Sequence, residues 1–137
     1  MYIKKEIGKI GEDLATSYLI KEKYKIIQRN FICRQGEIDI IAHDTIKKEL
    51  VFIEVKTRTN NKYGNPSESV NESKQKHIYK SAEYFVYKNR LEKMQIRFDI
   101  IEININILKK IYKINHIDNA FIKTNITSKK KWIKGNG

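Results

Sequence analysis

Two short runs decide how this chain folds: Gly36-Glu37-Ile38-Asp39-Ile40-Ile41 and, after a polar break, Val51-Phe52-Ile53-Glu54-Val55-Lys56. Both have the β-branched and aromatic content of strands. In the second run Val51, Ile53 and Val55 alternate with Phe52, Glu54 and Lys56. A strand's two-residue period therefore sets a carboxylate and an ammonium on one face. In the first run the same period groups Glu37, Asp39 and Ile41 against Ile38, Ile40 and Ala42. Ionisable groups in apolar strands cost several kcal/mol to desolvate unless they pair or hold a metal. Neighbouring strands carrying Asp39, Glu54 and Lys56 are expected to form a site for metal-assisted hydrolysis.

Working outward, residues 4–23 carry Ile7, Ile10, Gly11, Leu14, Ala15, Tyr18 and Leu19 at helical spacing, so a first amphipathic helix is expected. Gly8, Gly11 and Ala15 keep part of its face small, as a close approach to a sheet or a partner group requires. Strands are expected over residues 24–34, 37–43 and 50–57, with a tight turn at Gly36. Residues 58–65 read as a basic loop. Residues 67–89 read as a second helix with an inner stripe of Val70, Ile78, Ala82, Phe85 and Val86, and residues 95–104 and 109–116 read as two further strands. The expectation is an α/β protein of order αβββαββ, with a central mixed sheet of four to five strands flanked by helices. One domain over residues 1–122 and a basic tail over 123–137 complete it.

The 137 residues contain 28 Lys and Arg against 16 Asp and Glu, a net charge of +12. That excess favours a polyanionic partner, nucleic acid above all, although a proteome rich in Lys, Ile and Asn would also produce part of it. The one cysteine, Cys33, excludes an internal disulfide and fits a reducing compartment. No apolar run reaches the length needed to span a bilayer, and Met1 to Glu6 lack a signal peptide's apolar segment. A cytoplasmic location without membrane partners is expected. The oligomeric state stays open, a homodimer included.

Mg2+ commonly takes one or two carboxylates and fills its octahedron with water and substrate phosphate. Asp39 and Glu54 could supply them to Mg2+ or Mn2+. Lys56, two residues beyond Glu54, would orient the attacking water and stabilise charge in the transition state. The same three residues would equally make a cross-strand salt bridge on an exposed face. Glu12 lies at the edge of the first helix's apolar stripe, within reach of such a site or simply in solvent. Gln75 falls on the second helix's inner stripe and should hydrogen-bond something buried. Glu37 would support the site from behind or pair with Arg34. Arg34, Arg58, Lys62, Lys74 and Lys76 are placed on loops and at the start of the second helix, where they could clamp a phosphate backbone. The histidines have no zinc-ligand spacing.

A set of motifs runs in order along most of the chain: Gly8-Lys9-Ile10-Gly11-Glu12 with Ala15, Asn30-Phe31, Gly36-Glu37-Ile38-Asp39, Phe52-Ile53-Glu54-Val55-Lys56-Thr57-Arg58, Lys74-Gln75, Arg97-Phe98-Asp99 and Asn119-Ala120-Phe121. This set resembles the UPF0102 (YraN-like) family, within the PD-(D/E)xK superfamily of restriction-endonuclease-like nucleases. The resemblance implies a restriction-endonuclease-like core and, by analogy with archaeal Holliday junction resolvases, a metal-dependent DNA nuclease, structure-specific in that analogy. It implies a site of Glu12, Asp39, Glu54 and Lys56. Gln75 and Tyr79 match a Q-x-x-x-Y pattern of RecB-like nucleases, in which the second helix adds to the same pocket. Two departures stand out: Ile38, not proline, precedes Asp39, and Lys76-His77 stand where arginine is more usual. A nucleic-acid-binding protein without turnover and an assembly factor using the sheet edge remain rival readings.

Overall fold

The computed structural model describes residues 4–59 and 70–121. In chain order the elements are α1 (Lys4–Lys21), β1 (Tyr24–Cys33), β2 (Gly36–Asp44), β3 (Glu49–Thr59), α2 (Glu72–Lys88), β4 (Gln95–Asn106) and β5 (Ile111–Ile117). The strands form one five-stranded sheet in sequential order. Every neighbouring pair is antiparallel except β3 and β4, which are parallel. A parallel pair needs a crossover, and the segment containing α2 makes it. The expected α/β class, element order and mixed sheet are observed. Among the described residues no helix is long and apolar enough to cross a membrane.

β3 is apolar on both faces because both are covered. Val51, Ile53 and Val55 pack with Ala15 and Leu19 of α1, together with Ile40, Ala42, Ile101 and Ile103. Leu50 and Phe52 pack on the other side with Ile78, Ala82 and Phe85 of α2. The helices bury much of the stripes their spacing predicts, Gly11, Ala15 and Leu19 in α1 and Ile78, Ala82 and Phe85 in α2. Val70, expected on the second helix, is buried but stands before its N-cap, Asn71, and Val86 is only partly buried. Asn71 caps α2, its side chain accepting the Lys74 N–H, which satisfies one of the helix's orphan donors.

The strict alternation expected of β2 fails at one point. Ile40 and Ala42 face α1, but Ile38 lies in the cluster under α2. β1 has an unusual backbone at the same level, although its register shift lies further back, between Ile26 and Gln28. Its Arg29 pairs with Ile40 and its Phe31 with Ile38, and between them Asn30 takes a left-handed conformation at φ 52°. Such a residue kinks a strand locally and re-aims its side chains. At the same level the β2–β3 ladder, which begins at Asp44↔Glu49, ends at Ile40↔Ile53. Beyond it the Val55 N–H donates to Asp39 Oδ2 at 2.8 Å. The two strands thus open into a fork, with a carboxylate closing its base.

The opposite end of that ladder is locked by Arg97, which is 2% exposed. Its guanidinium has five N–H groups, and each finds an acceptor. Nε and Nη2 bond the two oxygens of Asp99 at 2.9 Å each, and Nη2 also reaches the Tyr24 hydroxyl at 2.8 Å. Nη1 bonds Asp44 at 3.1 Å and Glu49 at 2.6 Å. Asp99 further accepts the Asn119 N–H and bonds His116 at 2.7 Å, and the other ring nitrogen of His116 meets Tyr18 at 2.8 Å. Burial alone would raise Asp99, yet His116 and Arg97 hold it below the ordinary carboxylate range. One side chain thereby ties four strands together, and through His116 it reaches β5 and α1.

α1 crosses β3 at Gly11, where an added Cβ would lie 2.8 Å from Thr57 Cβ, whereas Gly8 has nothing within 4 Å. Only Gly11 makes the close approach expected of both. Gly11→Ala should therefore destabilise the fold by about 1–3 kcal/mol through overpacking, although alanine is the better helix former. Gly8→Ala should gain up to about 1 kcal/mol. Urea melts of the two variants check this, and equal effects would refute it.

Candidate active site

The fork opens into a cavity of about 690 Å³ between the two helices. α1 contributes Lys4, Ile7, Gly8 and Glu12, β2 contributes Asp39, β3 contributes Glu54 to Thr59, and α2 contributes Lys74. The antiparallel register brings the two central carboxylates into the same cavity, since Asp39 and Glu54 each lie one residue past the last pair, Ile40↔Ile53. Gly8 leaves the α1 wall open, with no atom within 4 Å of where a Cβ would stand.

Glu54 is 4% exposed. Two ammonium groups converge on its Oε2, Lys74 Nζ at 2.8 Å and Lys56 Nζ at 3.4 Å. Asp39 accepts the Val55 N–H, and among the described residues no Lys or Arg lies within ion-pair distance of it. Its proton is held up to about pH 7: burial is the largest cause, the charge of Glu54 the next, and Glu12 adds to them, against the Val55 N–H and Lys74. Burial lowers Lys74, but the hydrogen bond and charge of Glu54, aided by Asp39 and Glu37, raise it overall. The cavity is a place where negative charge is crowded and only partly neutralised.

Several expected residues converge here: Glu12, Asp39, Glu54, Lys56, Arg58 and Lys74 all line the cavity. Glu12 also faces Arg29 of β1 at 3.6 Å, and Arg29 holds Asp13 at 2.8 Å. Arg58 was expected on a loop. It stands instead on β3, which continues to Thr59 because β4 pairs with it along its whole length, and it bonds Glu102 of β4 at 2.9 Å.

Other expected residues stand outside the lining. Gln75 donates to the Val70 carbonyl at 2.9 Å, the buried partner its position called for. Tyr79 packs 5.5 Å from the Phe98 ring, and burial, with Glu83, pushes its hydroxyl up to about 12. Arg34 occupies the exposed β1–β2 turn, Glu37 is exposed opposite Ile32, and Lys76 is exposed on α2. Lys62 lies outside the described residues. The hold of Lys74 on Glu54 was not foreseen, because twenty positions separate the two and no local spacing signals the contact.

The donor set suits a hard divalent cation that keeps most of its coordination for water and substrate. Among the described residues no three His, Cys, Asp or Glu side chains gather into an all-protein metal cage. Two oxygen donors in an open cavity match the sparse ligation typical of Mg2+. The charge crowding on Asp39 is of the sign that a cation would relieve.

Fold and cavity together define an α/β protein whose mixed sheet splays at one end around two carboxylates and two lysines. The chain belongs to the family described as Uncharacterised protein family UPF0102, whose sequence model matches residues 11–103, a span that includes every lining residue from Glu12 to Lys74 as well as Arg97 and Asp99. It is 50% identical over 118 residues to a UPF0102 protein of Clostridium perfringens, covering 85% of this chain and 94% of that one. It is 52% identical over 118 residues to one of Caldicellulosiruptor bescii, covering 85% and 98%. With one of Caldanaerobacter subterraneus it shares 47% over 119 residues, covering 86% and 96%.

The raised Asp39 has a consequence for stability. Its value in the folded protein lies above the ordinary 3.8, so between the two the native state binds the proton more tightly than the unfolded chain. Stability contributed by this group falls as pH rises from about 4 towards 7 and is level above that. Asp39→Asn keeps an acceptor for the Val55 N–H and removes the charge. In metal-free buffer its melting temperature relative to wild type should climb across that window and then stay constant. A difference independent of pH would contradict the crowding described.

Proposed function

We propose that this chain is a divalent-cation-dependent nuclease that hydrolyses phosphodiester bonds in DNA. The observation that carries the reading is the joint presence of Asp39, Glu54 and Lys56 in one open cavity. A site built only to hold nucleic acid has no use for a carboxylate pair at its centre, because the pair repels phosphate unless a cation stands between them. The resemblance to PD-(D/E)xK nucleases and the +12 charge point the same way.

In this reading Asp39 and Glu54 hold Mg2+ or Mn2+, and Glu12 adds negative potential from α1. The bound cation would supply Lewis-acid polarisation of the phosphodiester and a water of lowered pKa. Lys56 is aimed by its strand into the cavity beside Glu54, where its ammonium would orient the attacking water and stabilise the charge that develops on the non-bridging oxygens. Lys4, Arg58 and Lys74 line the cavity and would steady the flanking phosphates. Arg34 and Lys76 would extend the basic track along the β1–β2 turn and the start of α2, and that track sets binding strength rather than sequence.

The test is a cleavage screen over duplex, single-stranded, flap and four-way-junction DNA with Mg2+ or Mn2+, run beside a chelator control. Asp39→Asn, Glu54→Gln and Lys56→Gln should each lose at least about 100-fold in rate. In chelator the two carboxylate variants should bind DNA as well as wild type or slightly better, because repulsion is removed, and Lys56→Gln should bind no more tightly than wild type. Lys80→Gln, on the exposed side of α2, should cleave normally. Cleavage by the Asp39 or Glu54 variant at the wild-type rate would refute the assignment. Binding without metal-dependent cleavage on any substrate would favour a protein that holds nucleic acid without turnover.

A further inference from the structure

Two lysines share one oxygen of Glu54, and they arrive from different elements. Lys56 comes from the same strand and stands 3.4 Å away, whereas Lys74 reaches across from α2 and stands closer, at 2.8 Å. The start of α2 is fastened so as to hold the Lys74 backbone in place. Its N–H donates to Asn71 Oδ1 at 2.8 Å, the next N–H donates to the Asn71 carbonyl at 2.9 Å, and the Gln75 side chain donates to the Val70 carbonyl. The helix itself gains nothing from a cation there, because the first turn is the positive end of its dipole. What favours the ammonium is Glu54. The Lys74 side chain is also the more exposed of the two, 42% against 24%, so its stem has room to move while its backbone stays fixed.

We propose that Lys74 is a tethered counter-cation: it occupies Glu54 in the metal-free protein, competes with a divalent cation for that carboxylate, and is released towards the substrate phosphate when the cation takes its place. This rests on the cation site described under the proposed function. An ammonium hydrogen-bonded to Glu54 Oε2 neutralises the negative charge that a cation shared by Asp39 and Glu54 would draw on, and the two positive charges repel, so each occupancy weakens the other. Loading the site then frees a positive charge on the cavity rim. Metal and phosphate binding become coupled, each favouring the other to the same degree.

The test is a calorimetric titration of Mn2+ alone into the metal-free full-length protein, at a pH above the range where Asp39 titrates. Wild type, Lys74→Met, Lys74→Gln and Lys80→Met are compared, the last as a control for general loss of charge on the same helix. Both Lys74 variants should bind Mn2+ at least about fivefold more tightly than wild type, while Lys80→Met stays within about twofold. Thermal melts without metal should show the Lys74 variants less stable than wild type, and saturating Mn2+ should remove the deficit. A Lys74 variant that binds Mn2+ no more tightly than wild type overturns the competition and leaves the cation site standing. If neither wild type nor the Lys74 variants bind Mn2+ at millimolar concentration, the cation site falls and the role of Lys74 falls with it.

Discussion

Two like charges held close together in a poorly solvated place are the constraint from which the rest of this cavity follows. The β2–β3 register places Asp39 and Glu54 one step past its last pair, and Glu54 is almost fully buried there. The interaction between such charges grows as solvent is excluded. The protein answers with cations drawn from separate elements, Lys56 from β3 and Lys74 from α2, both of them on Glu54. Asp39 is left with one backbone N–H and a raised proton affinity. The arrangement compensates one carboxylate twice and the other hardly at all, which is the imbalance on which the proposed cation site rests.

The fork can carry this imbalance because the other end of the sheet is tied down. Around Arg97 every guanidinium donor is matched with an acceptor, and a buried polar network satisfied to that degree fixes a single arrangement of the groups that make it. Asp44 and Glu49, the first pair of the β2–β3 ladder, are both in it. The ladder is therefore anchored where Arg97 grips it and open where Asp39 stands. α1 contributes at both ends, with Tyr18 bonded to His116 in the network and Gly8 and Glu12 on the cavity wall.

Much of this was legible along the chain, for physical reasons specific to each element. The alternation of Val51, Ile53 and Val55 with Phe52 and Glu54 survives intact because both faces of β3 are covered, and Gly11 announced a close approach that Thr57 makes. Ile38 departs from the face its period assigns because β2 switches face there, opposite the left-handed Asn30 of the partner strand, and no period within β2 contains that switch. Arg58 reads as loop because the stretch from it to Asn65 is polar and basic and contains Gly64, yet pairing with β4 keeps it in a strand. The pairing of Lys74 with Glu54 and the five-fold grip of Arg97 join residues far apart in sequence, and nothing local marks them. Arg97 and Asp99 stood out only as part of a motif, without a role.

The proposed function depends on Asp39 and Glu54 holding a divalent cation between them. Anomalous scattering from crystals soaked in Mn2+ above pH 7, measured at the manganese edge, tests it most directly. One strong peak should stand between the two carboxylates and be absent from crystals of the Asp39→Asn protein. A fully soaked crystal with no peak in the fork, or with manganese bound only elsewhere on the surface, would contradict it.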